Sequence, residues 1–109
     1  MKAAVPHHDH LMQDLKNPKF ATAYLNAALE DGDKEIFLLA LRHVLESRGS
    51  MTKLSRMTKL HRVSLYKMLS KYGNPEFESV LTLLNAIGIK ILFAPNTTKK
   101  NIKRAQRAA

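Results

Sequence analysis

A chain of 109 residues with a net charge of +9 fills one domain around one modest core, without the length for a second. The absence of cysteine excludes disulfides and thiolate metal sites and fits a reducing compartment. No apolar run reaches the roughly 18 residues that a bilayer span requires, and the start Met-Lys-Ala-Ala-Val-Pro-His-His lacks the apolar core of a secretory signal, so a cytoplasmic protein is expected. The charge is unevenly placed: Met1 to Ser47 sums to −2 and Arg48 to Ala109 to +11, so a polyanion would meet the second half.

In chain order, residues 1–16 show no sustained apolar period, and His7, His8, Asp9 and His10 read as a polar, solvated N-terminal arm with at most a turn of helix near Leu11 to Leu15. The histidines are of a type that binds copper, nickel or zinc, but no thiolate and no second spaced cluster accompanies them, so no metal site is assigned. Asn17-Pro18 marks a helix start, because Asn accepts from an orphan N–H and Pro lacks a donor that is not needed there. Phe20, Tyr24, Leu25, Ala28 and Leu29 then form an apolar stripe, which Glu30-Asp31-Gly32-Asp33 ends, with Asp33 positioned to cap the next helix. That second helix, about Lys34 to Arg48, carries Ile36, Phe37, Leu38, Leu39, Ala40, Leu41, Val44 and Leu45 around most of its circumference, which predicts packing on more than one side.

Gly49 suits a left-handed turn and Ser50 a cap for a third helix, with Leu54 inward and Lys53 and Arg56 outward. Thr58-Lys59-Leu60 is a turn, and a fourth helix over about Arg62 to Lys71 buries Leu65, Met68 and Leu69. Gly73-Asn74-Pro75 breaks the chain, and Phe77, Val80, Leu81, Leu84 and Ile87 define a fifth helix ending at Gly88. Ile89, Ile91 and Phe93 then alternate with Lys90 and Leu92 up to Pro95, the pattern of one short strand. A lone apolar strand needs a partner, and the same strand of a second copy satisfies it, so a homodimer is expected. Residues 96–109 carry Lys99, Lys100, Lys103, Arg104 and Arg107 and read as a basic tail, disordered when free. The domain proper is thus 17–95, mainly α, with five helices and one C-terminal strand.

Residues 50–71 fit two short helices joined by a tight turn, with cationic and hydroxyl groups outward, which is the pattern of a helix-turn-helix DNA reader. The second of these helices would enter the major groove. Arg62 and Lys67 suit guanine O6 and N7, Val63 a thymine methyl, Ser64 a base edge or backbone, and Tyr66 a phosphate. Ser50, Thr52, Lys53, Arg56, Lys59 and His61 are the phosphate candidates, with Lys71 and Asn74 on the far side of the groove. No paired carboxylates, nucleophile with base, or metal set appears, so no catalytic residue, enzyme activity or cofactor is assigned.

The blocks Tyr24 to Asp33, Phe37 to Arg42, Leu65 to Ser70 and Gly73 to Phe77 resemble an addiction-module antidote of the HigA-like group, with a lambda-repressor-like helix-turn-helix, over about Leu15 to Pro95. The resemblance implies a type II antitoxin that binds a RelE/ParE-like toxin encoded beside it and represses their shared operon at an inverted repeat. It places the DNA-reading helix on His61 to Leu69. Two residues depart from the family pattern: Lys59 stands where Gly is usual in the turn, and Ser55 where Ala is usual in the preceding helix. His61 also replaces the usual hydroxyl cap. A free-standing repressor, or a protein-interaction module without DNA binding, are the competing readings.

Overall fold

The protein was analysed as a computed structural model that describes residues 4–30 and 32–96. Six helices follow one another: α1 Ala4–Asp14, α2 Pro18–Glu30, α3 Lys34–Ser47, α4 Met51–Thr58, α5 Arg62–Met68 and α6 Phe77–Ala86. The caps read from sequence are the caps observed. Lys19 N–H donates to Asn17 Oδ1 at 2.9 Å, Glu35 N–H to Asp33 Oδ1 at 2.9 Å, and Lys53 N–H to Ser50 Oγ at 3.2 Å. Each satisfies an orphan donor of a first turn.

Helix α3 is the axis of the core. It packs against α1, α2 and α4, and Leu41, Val44 and Leu45 are fully buried. Packing on more than one side was the expectation from its wide apolar arc, although Ile36 and Leu39 remain exposed. Helix α4 in turn packs on α5 and α6, so the second half of the chain is attached to α3 largely through one eight-residue helix.

Four expectations are corrected. Six helices lie among the described residues, because α1 occupies a stretch read as an arm; Leu11 and Met12 pack against the core cluster and Leu15 is fully buried. Pro6 falls in the first turn of α1, where its missing N–H costs nothing. The apolar stripe of α2 is rotated, with Ala21, Leu25 and Ala28 buried and Phe20 and Leu29 exposed. In α6, Leu83 and Leu84 are buried while Phe77 and Leu81 are exposed.

No strand occurs among the described residues. Ile89 N–H instead donates to Leu84 O at 2.9 Å and finishes α6, and a strand needs a ladder partner that one copy does not contain. Of the three residues assigned to it, Ile89 is part-buried, Ile91 is exposed and Phe93 is 95% exposed. The basic tail, Asn96 apart, lies outside the described residues.

Three helices meet at one histidine. Tyr24 on α2 is hydrogen-bonded through its hydroxyl to His43 Nδ1 on α3 at 2.8 Å, and His8 on α1 stands edge-on to the same ring at 6.4 Å between centroids. Burial lowers the His43 pKa from its ordinary value, with His8 and Arg42 adding to the shift and Glu46 opposing it. A lowered pKa in the fold means that the unfolded chain binds more protons as acidity rises, so stability is complete above about pH 6.5 and declines below it. The urea midpoint is expected to fall between about pH 7.5 and pH 5.5, and His43→Gln to flatten that slope; an unchanged slope in the variant would assign the decline elsewhere.

Candidate nucleic-acid interface

The stretch from Ser47 to Pro75 contains seven Lys and Arg and no carboxylate. Helices α4 and α5 therefore carry cations that no neighbour in the same elements neutralises, and Arg42–Glu46 is the one ion pair among the described residues. Such uncompensated charge is soluble and poor for compactness, and it attracts polyanions.

Burial of a few apolar groups decides which side of α4 and α5 faces out. Met51 and Leu54 are buried on α4, and Leu65 is fully buried on α5, with Leu69 buried just beyond its end. Helix α5 is only seven residues long, too short to persist alone in water, so the burial of Leu65 and Leu69 is what keeps it helical. It ends earlier than the sequence suggested because the chain doubles back at Gly73: a Cβ there would lie 2.0 Å from the Met68 carbonyl oxygen and 2.9 Å from that of Lys67. Only glycine allows this approach.

With that face committed, the residues singled out on α5 all point to solvent. Arg62, Ser64 and Lys67 are exposed, Val63 is 75% exposed and Tyr66 45%. Thr52, Lys53, Arg56 and Lys59 are exposed, as are His61, Lys71 and Asn74. Arg62 Nη1 donates to Thr52 Oγ1 at 2.9 Å, joining the outer surfaces of α4 and α5 and holding the guanidinium at the N-terminal end of α5. The Ser50 hydroxyl is occupied as a cap, whereas His61 sits at the cap position of α5 without a side-chain hydrogen bond.

The turn between the two helices is polar and tightly bonded. Lys59 adopts a left-handed conformation, φ 62 and ψ 18, with its N–H on Ser55 O at 2.8 Å. The Ser55 hydroxyl donates to Leu60 O, the Thr58 hydroxyl donates to Leu54 O at 2.7 Å, and Leu60 N–H donates to Thr58 Oγ1 at 3.3 Å. Two exposed or partly exposed neighbours escaped the sequence reading. Tyr72, 85% exposed, has the Lys71 ammonium 5.5 Å over its ring; its place directly after Lys71 in a basic stretch was the available signal. Arg42 on α3 has its guanidinium 5.7 Å over the Tyr66 ring, a contact between distant parts of the sequence.

A small, mainly helical domain with a cationic pair of helices held outward is the kind of protein the geometry defines. Residues 7–95 match the family described as "Probable addiction module antidote protein", and the chain belongs to that family. An "Uncharacterized protein" of Haemophilus influenzae is 34% identical over 67 residues, which cover 62% of this chain and 68% of that protein. No solved structure matches significantly. Family membership supports an antitoxin role of a regulatory kind and implies a toxin of some kind as partner. No helix among the described residues is long and apolar enough to cross a membrane.

The left-handed Lys59 yields a test. An L residue in this conformation costs about 1–2 kcal/mol, and glycine returns roughly half of that as extra unfolded-state entropy. Lys59→Gly should therefore stabilise the fold by about 0.5–1 kcal/mol and raise Tm by about 2–6 °C in thermal melts followed by circular dichroism; a lower Tm would show the Lys59 side chain to contribute more than the strain.

Proposed function

We propose that the protein is a sequence-specific DNA-binding antitoxin: a homodimer that binds a RelE/ParE-like toxin and represses the operon encoding both. The observation that carries this is the outward face of α5, where Arg62, Val63, Ser64, Tyr66 and Lys67 are all exposed beside a stretch without carboxylates. Read as a helix-turn-helix, α5 lies in the major groove and α4 crosses the backbone. Arg62 and Lys67 meet guanine O6 and N7, Val63 packs on a thymine methyl, and Ser64 meets a base edge. Tyr66, Thr52, Lys53, Arg56, Lys59, His61, Lys71 and Asn74 meet phosphates and set the register, with the Ser50-capped start of α4 aimed at the same backbone.

Two copies are required for an inverted repeat, with recognition helices about 34 Å apart. Ile89, Ile91 and Phe93 supply the contact in this reading. Ile91 and Phe93 are 39% and 95% exposed on one side of the segment, and a ladder between two copies would close its edge. The toxin assignment follows from the family at its coarse level and from the resemblance for the superfamily.

Gel shifts on the DNA upstream of the protein's own coding region test the reading. Arg62→Ala should lose about 1–3 kcal/mol of discrimination against altered sites, while Lys53→Ala should weaken all sequences alike and reduce the salt slope by about one. No response to either change would remove α5 from the interface. Phe93→Asp should convert the dimer to monomer in light scattering and weaken operator binding with it; a dimer that survives would place the contact elsewhere. Co-purification with the product of the adjacent reading frame separates an antitoxin from a free-standing repressor.

A further inference from the structure

We propose that Arg42, on the core helix α3, is a positioning residue for the outward face of α5, acting through Tyr66; its consequence for DNA rests on the proposed DNA-binding reading, and its structural part does not. Arg42 lies outside residues 50–71, the stretch that carries the helix-turn-helix pattern. Its Nε donates to Glu46 Oε2 at 3.3 Å, one turn along the same helix, and its guanidinium carbon lies 5.7 Å from the centroid of the Tyr66 ring. A guanidinium at this distance over an aromatic face is attracted by the ring quadrupole.

The arrangement solves a specific problem. The Tyr66 hydroxyl has no hydrogen-bond partner among the described residues, the side chain is 45% exposed, and it sits on a seven-residue helix that gains little from length. Glu46 fixes the guanidinium plane, the plane fixes the ring, and the ring fixes where the Tyr66 hydroxyl and the adjacent Lys67 point. Glu46 also neutralises Arg42, so the contact adds no free positive charge to the face it steadies. The side chain is committed within the protein and is not a phosphate contact.

The test uses the full chain with Arg42→Gln, Arg42→Lys, Tyr66→Leu and the Arg42→Gln/Tyr66→Leu double variant. Hydrogen exchange of the free protein is read first. Arg42→Gln should speed exchange in α5 by about threefold with α2 and the remainder of α3 unchanged, Arg42→Lys should restore part of it, and Arg42→Gln should add nothing in the Tyr66→Leu background. Binding to the upstream DNA is read second: Arg42→Gln should cost about threefold in affinity for that site and leave the salt slope as in the unaltered protein. Unchanged exchange in α5, or additive effects in the double variant, would overturn the proposal. A salt slope reduced by about one would make Arg42 a phosphate contact and overturn it equally. Coupling in exchange without any binding of the unaltered protein to DNA would sustain the link to α5 and defeat the DNA-binding reading instead.

Discussion

The structure of the second half depends on one turn and the leucine beyond it. Residues 59–61 bring α5 back onto α4 so that Leu65 joins Leu54 in the core cluster, and α5 is too short to be helical for any other reason. The turn requires a left-handed residue, and the residue there is Lys59, not the glycine usual in the resembling family. Ser55 is the second departure from that pattern, and the two departures meet: the Ser55 hydroxyl donates to Leu60 O, the carbonyl directly after the left-handed residue, while Ser55 O accepts the Lys59 N–H. An alanine at 55 would leave the Leu60 carbonyl without that donor. The hydroxyl thus offsets some of the cost that Lys59 introduces, and the turn keeps a cation where a glycine would have none.

Local signals in the sequence were reliable where the physics is local. Asn17, Asp33 and Ser50 cap as their side chains require, and the breaks at Gly32, Gly49 and Gly73 separate the elements they were expected to separate. The stripes were less legible. In α2 the bulky Phe20 and Leu29 suggested one face, but the small Ala21 and Ala28 line the side toward α3, because close helix approach favours short side chains. Helix α6 offers apolar residues on most sides, and only the position of α4 decides that Leu83 and Leu84, not Phe77 and Leu81, turn inward. Periodicity limits the choice of face, and the neighbouring helix makes it.

The same distinction explains the site. Every outward residue on α5 was readable, since Leu65 and Leu69 fix one face and leave the remainder to solvent. Helix α1 was not readable: Leu11 and Leu15 are two apolar positions among histidines and acids, and their value comes from a tertiary partner in α3. The expected strand does not form in a single copy for the converse reason. Its alternation is present in the sequence, but a ladder is a property of two chains or two segments, and Ile89 is already used in finishing α6. Arg42 and Tyr66 are 24 positions apart in the sequence, so nothing local connects them.

Charge and packing divide this protein differently. By charge, the chain changes sign near Ser47. By packing it does not divide there, because α3 carries α4, and because the end of α5 returns to α3: Leu69, Ser70 and Lys71 line a small hollow together with Glu35, Ile36, Leu39 and Arg42. Lys71 and Glu35 thus share the lining of one hollow. The acidic and basic halves are not independent poles. Any partner that fills this hollow from the α3 side touches Arg42, and through the Tyr66 ring it touches the face of α5. In the proposed reading, the core helix thus borders the operator-facing helix directly, through the Arg42–Tyr66 contact.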